Sequence, residues 1–131
     1  MTTSGGPAPG FAKHPDHVVR ISPSDNRWTV HIGDTVVADS RRALLLEESG
    51  YEPVVYFPPE DVAADRLSSI DRLTTCPFKG EAHYFSDAAR KTDAAVAWTY
   101  PSVYDEVSAI AGYIAFYADR SEIVKQSANP D

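Results

Sequence analysis

The sequence predicts a mainly β domain, α+β in detail: a twisted antiparallel sheet or partly open barrel with one or two short helices. Three observations point there. In RWTVHI (27–32), Trp28, Val30 and Ile32 alternate with Arg27, Thr29 and His31, the period-two pattern of a strand with one buried face. Gly33-Asp34 follows directly, a pair suited to a two-residue hairpin turn because glycine takes positive φ at little cost. The other β-type runs, HVVRIS, PVVYFP and EAHYFS among them, are short and separated by turn residues or polar stretches, as in a sheet built from many brief strands.

The elements follow in chain order. Residues 1–16, rich in Gly, Pro and Ser, read as a flexible arm. The domain then occupies 17–125, with 126–131 a frayed tail. HVVRIS (17–22) is a strand, PSDN a turn and 27–32 the second strand. The Gly33-Asp34 hairpin leads to a third strand over 35–39, in a register that sets Ile32 opposite Thr35, Val30 opposite Val37 and Trp28 opposite Asp39. DSRRALLLEESGY (39–51) reads as a short helix, capped by Ser40 or Asp39 and closed by Gly50. PVVYFP (53–58) is a buried strand, and 60–75 a turn of helix followed by a strand over 67–74. Residues 81–86 and 93–100 are strands joined by a polar loop. In 106–118 a short turn precedes a strand, and SEIVK (121–125) is the last strand.

Composition narrows the function classes. At 131 residues the chain fits one domain with a real core, and 43% hydrophobic with 24% charged residues are ordinary globular values. Twelve Lys and Arg against nineteen Asp and Glu give a net charge of −7, a field that repels phosphate backbones and argues against nucleic acid as a partner. A single cysteine leaves no internal disulfide. No apolar run approaches the length of a bilayer span, and the N-terminal stretch lacks the apolar segment of a secretory signal. A cytoplasmic protein without membrane contact is the expectation.

Candidate chemistry centres on TTCPFKGEAHYF (74–85). Cys76 precedes Pro77, which imposes an extended backbone on it, and Lys79 and His83 are the nearest groups able to favour a thiolate. No cysteine-enzyme spacing is present, so a small thiol fixing a turn is the favoured reading of Cys76. Zinc needs four ligands, commonly in CxxC or HxxxH pairs; with one Cys, and with His14 and His17 in or beside the arm, no metal site is expected. The sequence holds no P-loop, GxSxG, HExxH or GxGxxG motif, and no cofactor is expected. Tyr56, Phe57, Phe78, Tyr84, Phe85, Trp98, Tyr100, Tyr113, Phe116 and Tyr117 form a dense aromatic set. Most of these must be core, yet several could line a pocket with Lys79.

The expected helix over 39–51 carries inverted charges, with Arg41 and Arg42 at its positive end and Glu47 and Glu48 at its negative end. Either Glu47, Glu48 or other carboxylates pair with the arginines, or Ser40, Arg41 and Arg42 form an anion site at the helix start.

Taken in order, VADSRRALLLEESGYEPVVYFPPEDV, TTCPFKGEAHYF and AAVAWTYPSVYDEVSAIAGYIAFY resemble the DUF427 family, small bacterial and fungal proteins of unknown function. The resemblance spans roughly residues 17 to 125 and rests on a Cys-Pro, aromatic, Lys-Gly motif, then Trp-x-Tyr-Pro, then GY-x-AFY. It implies a mainly antiparallel β domain similar to β-tent proteins. Those often carry zinc on two CxxC knuckles, both absent here. Some classifications label the family nucleotidyltransferase-like, but the Gly-Ser and paired Asp ligands of that chemistry are absent too. The family brings no established catalytic residues.

Two functional expectations result. The first is a domain that binds a small anionic or polar molecule, or an enzyme of unassigned reaction. Ser40, Arg41, Arg42 and Lys79 would supply donors, Cys76 and Tyr84 would frame the turn, and Trp98 and Tyr100 would form a stacking wall. The second is an interaction module acting through a sheet edge or apolar patch on a protein partner or, as a homo-oligomer, on itself.

Overall fold

The computed structural model of the protein describes residues 6–90 and 94–126. Ten strands dominate: β1 (Val19–Pro23), β2 (Arg27–Ile32), β3 (Thr35–Ser40), β4 (Leu44–Glu48), β5 (Val54–Tyr56), β6 (Leu67–Cys76), β7 (Gly80–Asp87), β8 (Ala95–Thr99), β9 (Ile114–Phe116) and β10 (Glu122–Gln126). One short α-helix, α1 (Gly10–Lys13), precedes them, and 3-10 turns fall at Pro59–Asp61, Ala64–Arg66 and Asp105–Ile110. The strands form three antiparallel sheets in the orders β1-β4-β5, β10-β2-β3 and β6-β7-β8-β9. None of them closes on itself, so the protein is mainly β without a closed barrel. Among the described residues no helix is long and apolar enough to cross a membrane.

The predicted hairpin forms, with β2 and β3 joined through Gly33-Asp34 and Gly33 at φ +60°. Its register departs from the expected one. Ile32 faces Thr35, but a bulge between Val30 and His31 places Val30 opposite Ala38 and Trp28 opposite Ser40. The bulge lets Val30, Val37 and Ala38 all enter the core, at 0, 2 and 2% exposure, which plain alternation would not allow.

The expected helix over 39–51 does not form. β3 runs to Ser40, a bend follows at Arg41 and Arg42, and residues 44–48 are the central strand of a sheet. Tertiary pairing overrides helix propensity: Leu46 lies opposite Ile21 on one side and Val54 on the other, and is 1% exposed. The capping signal at Ser40 was real chemistry in a different setting. Its hydroxyl accepts the Arg42 N–H at 2.9 Å, a local turn that borrows helix-cap geometry.

Two apolar clusters hold the sheets together. The first gathers Val30, Val37 and Ala38 with Phe57, Val96 and Phe116, and full burial of Phe57 contributes about 2–3 kcal/mol. The second, built on Leu46, Tyr56, Tyr100, Val107, Ile110 and Ala115, forms the floor beneath the candidate site. Paired bonds between Phe57 and Ile114, each N–H donating to the other's carbonyl at 2.8 and 2.9 Å, link β5 to β9 and so join two sheets.

The described part of the N-terminal segment packs on the 76–80 turn. Gly10 N–H donates to the Pro77 carbonyl at 2.9 Å, Phe11 meets Phe78 edge to face, and Ala8 N–H donates to Glu106 Oε1 at 2.9 Å. Residues 1–5 and the tail from 127 lie outside the described residues, as does part of the loop before β8.

Candidate functional site

The turn Cys76–Gly80 is the hinge point of the site. β6 ends at Cys76, Lys79 N–H closes the turn on the Cys76 carbonyl at 3.3 Å, and Gly80 opens β7. Gly80 adopts φ +136°, and a Cβ there would stand 2.7 Å from the Ser102 carbonyl oxygen. Only glycine admits this approach. The 102–104 segment clamps the turn from that side, with Tyr104 N–H donating to the Lys79 carbonyl at 3.0 Å. The turn, held also by the N-terminal segment, directs the Lys79 side chain inward.

Lys79 is 8% exposed, a position an ammonium group tolerates only when paired. Its Nζ lies 2.5 Å from Glu48 Oε1 at the end of β4, and 3.9 Å from Cys76 Sγ. The second carboxylate oxygen, Glu48 Oε2, is 2.8 Å from His17 Nε2. The His17 ring in turn stacks on Phe78 with centroids 3.9 Å apart and planes at 20°. One carboxylate thus ties together the turn, β4 and the N-terminal segment.

This network borders a cleft of about 460 Å³, within the usual range of small-molecule sites. The cleft is walled by aromatic side chains, Tyr56, Tyr84, Trp98, Tyr100 and Tyr117, with Cys76 and Lys79 at one end. Trp98 Nε1–H donates to the Tyr56 hydroxyl at 3.2 Å, and the Tyr84 hydroxyl meets Thr74 Oγ1 at 2.6 Å. Burial pushes the Tyr56 and Tyr100 phenols well above the ordinary tyrosine range, reinforced by neighbouring groups that include Glu48 and Cys76. For Tyr56 the Trp98 hydrogen bond opposes the shift. Tyr117 is raised as well, chiefly by burial. At neutral pH Tyr56 and Tyr100 are therefore neutral phenols able to donate.

Of the residues nominated from sequence, Cys76, Lys79, Tyr84, Trp98 and Tyr100 converge on this cleft. Ser40, Arg41 and Arg42 do not. Ser40 is 2% exposed and donates to Asp61 Oδ2 at 2.7 Å, while Arg42 pairs with Asp61 Oδ1 at 3.2 Å. Without a helix at 39–51 there is no helix terminus to gather an anion, and the polar groups of Ser40 and Arg42 meet Asp61. The inverted charges resolve the same way: Arg42 answers to Asp61 and Glu48 to Lys79 and His17.

Sequence reasoning missed Glu48 and His17. Glu48 had registered as a misplaced helix charge and as a partner for Arg41 or Arg42, whereas it pairs with Lys79 and His17. His17 sits 31 residues from Glu48 in sequence, and nothing local marks it. Among the described residues, no three His, Cys, Asp or Glu side chains gather to hold a metal ion.

A family model described as a domain of unknown function, DUF427, matches residues 20–127. That span includes every cleft-lining strand and the whole 76–80 turn but not His17. No curated protein matches the sequence.

Proposed function

Because the chain belongs to the DUF427 family of domains of unknown function, we propose its role from the cleft itself: the protein binds a small polar molecule there. The observation that carries this reading is the convergence of an aromatic wall with the buried Lys79–Glu48–His17 network on one concavity. Apolar walls with a few fixed polar groups are what small-molecule sites provide. The buried network holds those polar groups in place before a ligand arrives, which lowers the ordering cost of binding.

A docking role through a sheet edge or apolar patch has no comparable assembly behind it. Among the described residues the large exposed apolar side chains are Val18, Val36, Tyr51 and Leu73, of which Val18 and Tyr51 share a hollow of about 240 Å³ with Arg20 and Glu47.

The test is amide chemical-shift mapping of the intact protein against a library of fragment-sized polar molecules. Ligand-induced shifts should cluster at 46–56, 76–84 and 98–100. Shifts confined to other surfaces, or none from any molecule, would show that the cleft is not a binding site.

A further inference from the structure

We propose, building on that reading, that the ligand is a neutral planar molecule offering a hydrogen-bond acceptor, a carbonyl oxygen or ring nitrogen, to the Tyr100 hydroxyl. Tyr100 is then the residue that selects it.

The argument begins with the polar groups that face the cleft. Both Glu48 oxygens are taken by Lys79 and His17. The Tyr56 hydroxyl accepts from Trp98 and the Tyr84 hydroxyl is joined to Thr74. Tyr100 differs. It is 8% exposed, yet among the described residues its hydroxyl has no hydrogen-bond partner. The groups that bear on that hydroxyl electrostatically, Tyr56, Cys76, Tyr84 and Glu48, all line the cleft, so it faces the concavity. Among the described residues the fully enclosed side-chain atoms without a partner are Thr29 Oγ1 and Arg66 Nε, so the Tyr100 hydroxyl is open to the cleft, where a ligand acceptor can take the place of solvent. The phenol keeps its proton well above neutral pH and so has a proton to donate to an acceptor on the ligand.

Charge then narrows the class. An anionic group seated at Tyr100 would find the Glu52 carboxylate lining the same cleft. The positive charge of Lys79 offers it little, because Glu48 at 2.5 Å already neutralises it. A cation gains as little from Glu48, which Lys79 already neutralises, and the other carboxylate lining the cleft, Glu52, is exposed to solvent. A cation would also find the Tyr84 and Tyr117 rings engaged, with Arg72 and Arg120 guanidinium groups 5.2 and 5.1 Å from their centroids, which draws on the ring quadrupole that would otherwise attract it. Burying either charge without a free counter-charge is unfavourable. A neutral group avoids both conflicts. Planarity follows from the walls, since Trp98 and the tyrosines offer flat faces and edges that a planar molecule contacts most fully.

Three molecules of one shape and different charge test the idea: benzamide, benzoate and benzamidinium. Each is titrated by amide chemical shift into the wild-type protein and into Tyr100→Phe, which keeps the ring and removes only the hydroxyl. Benzamide should bind most tightly to the wild type, and Tyr100→Phe should weaken it roughly 3- to 10-fold. Tighter binding of benzoate or benzamidinium overturns the charge argument on the wild type alone, whatever the variant does. Equal benzamide affinity in a folded Tyr100→Phe overturns the role of Tyr100. Silence from all three, while other fragments shift cleft amides, overturns this inference and leaves the cleft reading standing. Silence from every molecule overturns both.

Discussion

The Lys79 ammonium stands 2.5 Å from Glu48 Oε1, with side chains only 10% and 8% exposed. Removing either partner leaves the other's charge buried, which costs far more than the intact pair gains over an apolar replacement. Lys79→Met and Glu48→Gln should each destabilise the protein by about 3 kcal/mol. The double variant should lose clearly less than the sum of the two. Urea unfolding of the four proteins measures this, and additive losses would mean that the two groups stand independently.

Alkaline pH should weaken the fold through the floor of the cleft. Tyr56 and Tyr100 have phenols raised in the folded state, so the folded chain holds protons that the unfolded chain releases near an ordinary value of about 10. Their contribution is complete below that value and is lost as pH rises above it. Tyrosinate absorbance in the near-ultraviolet should show a late component that appears only as the protein unfolds. Tyr100→Phe should reduce that component. Full ionisation of all seven tyrosines with the fold intact would contradict the expectation.

Ser40 and Arg42 make a contrast on one carboxylate. Ser40→Ala leaves Asp61 Oδ2 and the Arg42 N–H without their buried partner, and should cost about 1–3 kcal/mol. Arg42→Ala removes an ion pair whose guanidinium side is 61% exposed, and should change stability by less than about 1 kcal/mol. An Arg41→Ala, Arg42→Ala double variant should show the same thermal shift in phosphate as the wild type. A phosphate response lost in that variant would restore an anion role to this bend.

Glycine positions separate turn chemistry from close packing. Gly33 and Gly80 both have positive φ, but only Gly80 has a neighbour, the Ser102 carbonyl, within 4 Å of an added Cβ. Gly33→Ala should cost about 1 kcal/mol for its backbone alone. Gly80→Ala should cost about 2 kcal/mol or more and weaken cleft binding, because Lys79 moves with the turn. Equal losses at the two sites would show that the 102–104 clamp is not tight.

The legible parts of the fold were those whose pairing is local. The β2–β3 hairpin could be read because alternation and a Gly-Asp turn adjoin in sequence. Its bulge could not, since the core decides which face Ala38 joins. Residues 44–48 misled because three leucines in a row fit a helix stripe and a fully buried strand equally; β1 and β5, supplied from either side, settle the choice. The same divide runs through the cleft. Cys76 and Lys79 share one turn, and Tyr84, Trp98 and Tyr100 lie on the two segments that follow, so their company was visible. Glu48 and His17 arrive from other elements, and only the folded chain shows that Lys79 needs a counter-charge.

The stacking of His17 on Phe78 has a consequence for comparisons among relatives. The family pattern begins at residue 20, so one jamb of the doorway is made from sequence that the pattern does not specify. The matched strands and turn make most of the cleft wall, and in the proposed binding role the lead-in segment, through His17 against Phe78, would set the width of its mouth. On that reading, changes at Gly10, Phe11 or His17 alone would alter selectivity, with every strand and the Lys79–Glu48 pair untouched. A chain shortened to Val18 would keep the receptacle and lose its gatepost, and would admit a broader set of molecules than the intact protein does.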